Sequence, residues 1–363
     1  MYRVKIFGAG SIGNHMSHAA RLLGWNVDVC DVDSEALRRM REEIYPSRYG
    51  SWDTAIRLFE VKDMPLGGYD LIIVGTPPDT HIPVAMLALN ERPSAILVEK
   101  PFCIPTLVDA REFYERARGL GVKVFVGYDH VLGHATKKIE NVIHSDGLGS
   151  PHVLEVEFRE FWGGIFAAHP WLNGPKDSYL GYSLRGGGAT GEHSHALNLW
   201  QHLSHRLGKG RVTEVQALMS FENDRVVNYD SVCLLNLKTE FNLIGRVVQD
   251  IVTQPPRKWA RLQCSRGYAE WVCGYQPGVD AVISAKNGEA PETFLFSKTR
   301  PDDFVMELRH IKSAIDDSPQ HSPISIERGL DTMLLIAAAY KSAQEHRTIK
   351  IDYSQGYCME ALI

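Results

Sequence analysis

The chain has no two cysteines spaced as a CxxC element. Its six, Cys30, Cys103, Cys233, Cys264, Cys273 and Cys358, are scattered along the sequence, which argues against a zinc ribbon or a disulfide framework and fits a reducing compartment. No apolar run approaches the ~18 residues of a membrane-spanning helix. The opening MYRVKIFGAG passes from a short apolar stretch straight into glycine, without the long apolar core and small-residue cleavage site of a secretory leader. A cytoplasmic location with no membrane partner is the expectation. Clustered basic residues are also missing: the net charge is -5 and Lys and Arg are dispersed, so no nucleic-acid surface is expected. There is no internal repeat and no low-complexity segment. What remains is 363 residues, 44% hydrophobic and 23% charged, enough for two packed domains because one core stops growing near ~250–300 residues.

Strand-like and helix-like patterns alternate at first. YRVKIF (2–7) is rich in β-formers, the next segment brings Ile12, Met16, Ala20 and Leu23 to one helical face, and NVDVCD (26–31) is a second strand. YDLIIVGT (69–76) and AILVEK (95–100) are near-continuous apolar strands of the kind buried in a parallel sheet, with the helix-like HIPVAMLALN between them. VKVFVGY (122–128) follows the amphipathic VDAREFYERARGL. Residues 1–125 therefore read as a doubly wound parallel α/β domain. Beyond them strand patterns follow one another with few helices until DDFVMELRHIKSAI, which indicates a mostly antiparallel sheet and an α+β domain over 126–363. ERGLDTMLLIAAAYKSAQEHR, a helix, and TIKI, a strand, close the second domain.

Gly8, Gly10 and Gly13 stand as G-x-G-x-x-G after a strand and at a helix start, the context in which this pattern binds a dinucleotide. The first glycine allows a tight turn, the second lets the backbone approach a pyrophosphate, and the third lets helix and strand pack closely. Ser11 and Ile12 complete the loop at the helix N-terminus, where N–H groups favour an anion. Asp31 ends the second strand, where a carboxylate accepts from a ribose hydroxyl and repels a 2′-phosphate. Val32 and Asp33 bring no cation to it. NAD is expected in preference to NADP.

Two further signals lie at strand ends, where an open parallel sheet binds ligands: Thr76, Pro77 and His81 in GTPPDTH, and Glu99, Lys100 and Pro101. With GAGSIG, the GY at 127–128, the glycine-rich histidine segment GGGATGEHSHALNLW from 186 and the C-terminal SIERGLDTMLLIAAAYKSAQEHRTIKI, the chain resembles the Gfo/Idh/MocA family of sugar and cyclitol oxidoreductases over nearly its whole length. The resemblance implies a Rossmann domain followed by an open antiparallel sheet whose face forms oligomers, a homodimer or homotetramer, with the active site between domains. It implies that Lys100 stands beside the nicotinamide and the reacting oxygen. A lysine ending a buried strand is partly desolvated, which suits it to exchange a proton near neutrality.

In the same way His195 takes the place of the family's catalytic histidine. The pattern departs in two places: Glu192 lies three residues before His195 where an Asp four before is usual, and Asn198 stands where a later Asp is expected. Glu192 can still share a helical face with His195, whereas His193, two residues away, diverges from it and joins the substrate candidates. Glu192, His193, His195, His202 and His205 lack any tight ligand spacing, so no metal is expected. Tyr128, Trp162, Trp171, Lys176, Tyr179, Arg185 and Arg257 are candidates for sugar stacking and anion contacts. The expected activity is NAD-dependent hydride transfer at a secondary alcohol or ketone of a sugar, nucleotide sugar or cyclitol, with Lys100, His195 and Glu192 catalytic. Two readings stay open beside it: a non-catalytic NAD-binding sensor or scaffold, and a reductase of a C=C or C=N bond.

Overall fold

The computed structural model describes residues 2–145, 147–317 and 321–363. It divides into two units, the first made of Met1–Phe102, Glu112–Asp129 and Thr299–Ile326, the second of Cys103–Arg111, His130–Lys298 and Glu327–Ile363. The contiguous boundary expected near residue 125 thus meets a chain that returns: a helix from the C-terminal third belongs to the first unit.

The first unit holds six parallel strands, β1 (Arg3–Phe7), β2 (Asn26–Asp31), β3 (Ile56–Glu60), β4 (Leu71–Val74), β5 (Ala95–Val98) and β6 (Lys123–Val126), in the order β3-β2-β1-β4-β5-β6. Every residue of β4 and β5 is buried, which accounts for their unbroken apolar runs: both faces of the sheet are covered and neither needs polar residues. β3 carries Arg57 and Glu60 within IRLFE, so its apolar pattern is weak and the sequence names no strand there. β1 pairs with both β2 and β4, and the strand order reverses at this point. That is where doubly wound sheets form their ligand crevice. Helix α1 (Ser11–Leu22) leaves the end of β1, and α2 (Pro78–Asn90) follows β4.

The second unit is built on a nine-stranded sheet: β7 (Pro151–Arg159), β8 (Val212–Asn223), β9 (Asn228–Thr239), β10 (Ile244–Asp250), β11 (Arg257–Cys264), β12 (Gly267–Gln276), β13 (Val279–Lys286), β14 (Glu292–Ser297) and β15 (Ile349–Lys350). Its pairings are antiparallel except β7 with β10. The run ARLQCSRGYAEWV divides into β11 and β12 around Ser265 and Arg266. Helix α3 (Ser194–Arg206) is buried along most of its length, its Trp200 reaching the Leu154 carbonyl of β7 at 2.9 Å. Helix α4 (Arg300–Asp317) packs on α1 in the first unit, and α5 (Ile326–Glu345) precedes β15.

Candidate functional site

In the first unit the glycine loop connects β1 to α1 under close packing. Gly8 has φ +103°, and a Cβ on Gly13 would lie 2.0 Å from the Gly8 carbonyl oxygen, so turn and helix approach too closely for any side chain. Gly10 differs: it is exposed, and a Cβ there would meet nothing within 4 Å. The loop therefore presents an open cradle over bare backbone at the first turn of α1, a turn without acidic residues. Such a cradle suits an anionic group. Ile12 packs on Gly75 after β4, and Ser11 is half-buried.

Asp31 is tied into this loop. One carboxylate oxygen accepts the Ala9 N–H at 2.8 Å, and the other accepts the Asp33 N–H at 2.9 Å. The remaining lone pairs of a carboxylate are free to accept from hydroxyl groups. Val32 beside it is exposed, and Arg39 is ion-paired with Asp33 at 3.4 Å.

At the ends of β4 and β5, His81 is wholly buried and joins two segments. Its Nε2 lies 2.7 Å from the Thr76 carbonyl and its Nδ1 3.0 Å from the Pro101 carbonyl. Burial pulls its pKa down to about 4, against the two carbonyls, which favour the charged form. His81 thus fixes the TPP turn to the segment after β5, holding Lys100 in place from behind. Lys100 is half-buried, Thr76 is half-buried and Pro77 is exposed. Glu99 is buried with its carboxylate against Gly127, whose Cβ would lie 2.8 Å from Oε2. Burial, with Asp129 adding to it, raises Glu99 to about 7. Tyr128 is fully buried in the same unit.

In the second unit the glycine-rich segment is organised around a residue that its own motif does not contain. Asp230 of β9 is buried and accepts from Thr190 N at 2.7 Å, Thr190 Oγ1 at 2.6 Å, Tyr340 Oη at 2.5 Å and Ser183 Oγ at 3.2 Å. Gly188 has φ +77°, and its Cβ would lie 2.0 Å from an Asp230 oxygen, so this glycine exists to let the carboxylate in. Burial raises the Asp230 pKa against the hydrogen bonds that lower it. The anchored segment ends in the short helix Gly188–Glu192, leaving Glu192 half-buried.

His193 follows. It is buried and its carbonyl accepts from Gln249 at 2.6 Å. His195, in the first turn of α3, is half-buried among aromatic rings: His130 at 4.5 Å edge to face and Phe158 at 6.4 Å stacked, with Trp271 stacked on Phe158 at 5.9 Å. His193 sits between the two helices, outside α3, and is buried, whereas His195 is half-buried in the first turn of α3. Asn198 bonds to Thr332 of α5 at 3.2 Å, so its amide serves helix packing. His130, directly after GYD, is a neighbour of His195 that the sequence reading leaves out.

The aromatic and basic candidates scatter. Trp162 is buried in a cluster with Leu180, Ala189 and Ile251, and Tyr179 packs against that cluster. Trp171 lies edge to face with His169 at 5.1 Å. Lys176 and Arg185 are exposed, Arg185 lying over the Tyr182 ring. Arg257 opens β11, 3.4 Å from Glu157 and over Trp259. Asp230, Tyr340 and Thr190 are the positioning residues that motif reading misses, and a charged residue inside the apolar strand pattern NYDSVCLL is the signal that could have found the first of them.

Residues 2–128 match the model of the Gfo/Idh/MocA oxidoreductase family, described by an NAD-binding Rossmann fold. This N-terminal segment is similar to that family. A myo-inositol 2-dehydrogenase of Thermotoga maritima is 22% identical over 160 residues, 44% of this chain and 45% of that protein. The chain thus aligns with less than half the length of that relative. Among solved structures, a levoglucosan dehydrogenase in complex with NADH and levoglucosan superposes with TM-score 0.77 at 14% identity, covering 96% of this chain and 99% of the other. An aldose-aldose oxidoreductase from Caulobacter crescentus, complexed with glycerol, gives 0.75 at 19% identity, covering 96% and 99%. At these identities the likeness establishes the two-part fold.

Proposed function

We propose that this chain is an NAD-dependent dehydrogenase or reductase acting on a secondary alcohol or ketone of a sugar, nucleotide sugar or cyclitol. The observation that carries the reading is the pairing of an open backbone cradle at Gly10 with an Asp31 carboxylate fixed to the same loop through Ala9 N. The residues fit a dinucleotide: Gly8, Gly10, Ser11, Ile12 and Gly13 for the pyrophosphate and Asp31 for the adenosine ribose. When bound, NAD supplies the two-electron acceptor, which takes a hydride from the alcohol carbon and returns one in the reverse direction. Relatives of similar fold crystallised with NAD or NADH support the same cofactor.

In this reading Lys100 stabilises the charge that develops on the substrate oxygen, and His195 takes the hydroxyl proton. Glu192 orients the histidine. Lys100 is suited to its task because His81 and the end of β5 fix its backbone. Trp171, Lys176, Tyr179, Arg185, His193 and Arg257 remain proposals for the substrate rim. The polar-rimmed sheet face of the second unit, where Leu218, Leu234 and Ile244 are exposed beside the Glu214–Lys238 and Glu155–Arg246 ion pairs, is the surface we assign to self-association as a homo-oligomer. Among the described residues no helix is long and apolar enough to cross a membrane.

The test is direct. Titration with NADH should give saturable binding, lost in a Gly10→Trp chain that keeps its melting temperature. No binding by the unmodified chain would sink the reading.

A further inference from the structure

Two arginines beside the N-terminal half of α1, Arg48 and Arg300, form no ion pair with a carboxylate among the described residues. Arg48 lies in the short helix Tyr45–Tyr49, which continues from a π-helical segment, Met40–Ile44. Its Nη1 donates to the Ser11 carbonyl at 3.2 Å and contacts His15 Nε2 at 3.3 Å. A guanidinium offers no acceptor, so His15 Nε2 accepts in that contact. His15 Nδ1 is paired with the Tyr49 hydroxyl. Both groups holding Arg48 through these bonds are therefore uncharged. Arg300 opens α4 and lies over the Phe304 ring at 5.4 Å, and Phe304 is stacked on His15 at 5.0 Å. Ring stacking thus links the second guanidinium to the first through one histidine.

Among the described residues neither arginine is within ion-pair distance of a carboxylate. They also repel each other: Arg48 is held below the ordinary guanidinium value, first by its burial and further by the Arg300 charge. An arginine half-buried near a like charge and the positive end of a helix dipole is unfavourable in the empty protein. The arrangement becomes favourable when an anion with more than one charged oxygen enters, since guanidinium groups hold such oxygens with charge-assisted bonds. The glycine loop beside Ser11 is the cradle already assigned to a dinucleotide.

We propose that Arg48 and Arg300 neutralise and position the pyrophosphate of the bound dinucleotide, adding two side-chain cations to a loop that otherwise uses backbone N–H groups alone. The proposal rests on the dinucleotide reading above. The C-terminal segment Thr299–Ile326 belongs to the first unit, its helix packed on α1, and in this proposal the first residue of that helix completes the phosphate site. Arg48 and Arg300 are positioning residues; the reacting carbon and oxygen are elsewhere.

The experiment is calorimetric titration of the full chain, and of its Arg48→Met, Arg300→Met and Arg48→Lys variants, with ADP-ribose and ADP, and with adenosine by competition. Melting curves establish that each variant is folded, and exposed Arg300 keeps the test alive if Arg48→Met does not fold. Each Met variant should weaken ADP-ribose and ADP by about tenfold or more, equivalent to ~1.4 kcal/mol, while adenosine stays within about twofold. Arg48→Lys should recover part of the loss, and the salt dependence of ADP-ribose binding should flatten in the Met variants. Unchanged ADP-ribose affinity in both Met variants overturns the proposal and leaves the dinucleotide reading standing. Equal losses for adenosine also overturn it, since the arginines would then only pin the loop. If the unmodified chain binds neither ADP-ribose nor ADP, both the proposal and the reading beneath it fail.

Discussion

The Asp31 carboxylate accepts the Ala9 N–H at 2.8 Å, so the acid proposed to meet the ribose and the loop proposed to receive the pyrophosphate are one hydrogen-bonded unit. NAD(H) should bind about tenfold or more tightly than NADP(H), a gap of ~1.4 kcal/mol. Asp31→Ala should narrow that gap chiefly by weakening NADH, and it should also lower the melting temperature slightly because Ala9 N loses its partner. Calorimetry with both cofactors checks this; equal affinities in the unmodified chain would refute it.

The glycines of the loop should separate stability from binding. At Gly13 a Cβ lies 2.0 Å from the Gly8 carbonyl, so Gly13→Ala must move backbone and should cost ~1–3 kcal/mol of stability. At Gly10 the same methyl meets open space, so Gly10→Ala should leave stability within ~0.5 kcal/mol while weakening NADH. Denaturant unfolding paired with NADH titration measures both, and a reversed pattern would contradict the packing described for the loop.

Buried carboxyl groups give the first unit a particular pH dependence. Glu307 of α4 is almost fully buried and held well above the usual carboxyl range, by burial first and then by Glu99, Asp129 and Asp303. Glu99 is raised to about 7, with Lys100 and Arg300 opposing the rise. A folded-state pKa above the unfolded one gives stability that is complete at acid pH and lost as pH rises through the folded value. His81, lowered to about 4 by burial, acts in the other sense and loses stability as the pH falls through its folded value. Glu307→Gln should therefore flatten the decline of melting temperature on the side of rising pH, above the ordinary carboxyl range, and leave the acid side unchanged. Parallel curves for variant and unmodified chain would show that Glu307 holds no proton.

Much of this was legible in sequence because it is local. β1, β2, β4, β5 and β6 follow from apolar runs, and the glycine loop and Asp31 follow from spacing along one βαβ unit. What escaped is long-range. Nothing in DDFVMELRHIKSAI says that this helix packs on α1, some 290 residues earlier by the numbering of Arg300 and Ser11. The Asp230 network joins Ser183, Thr190 and Tyr340 from separate elements, so no motif window contains it. Trp162 reads as a stacking platform because aromatics serve both purposes; in the fold it fills the small core with Leu180 and Ile251. His81 reads as a cofactor contact and is occupied by two backbone carbonyls.

The two neighbouring histidines should behave differently. His193 is buried and its backbone is bonded to Gln249, so His193→Ala should act through stability and binding. His195→Ala should lower turnover far more than substrate affinity, since a proton acceptor is used mainly in the transition state. Equal losses in kcat and KM for both variants would remove His195 from the proposed chemistry.

The most direct measurement is the near-ultraviolet absorbance of reduced nicotinamide when the full chain is mixed with NAD and sugars, cyclitols or nucleotide sugars, and with NADH and the corresponding ketones. Saturable turnover is expected with at least one of these classes, reduced by something like 10²–10⁴ in Lys100→Met while NADH affinity and melting temperature are retained. No turnover in either direction with any class, or full turnover in Lys100→Met, would contradict it.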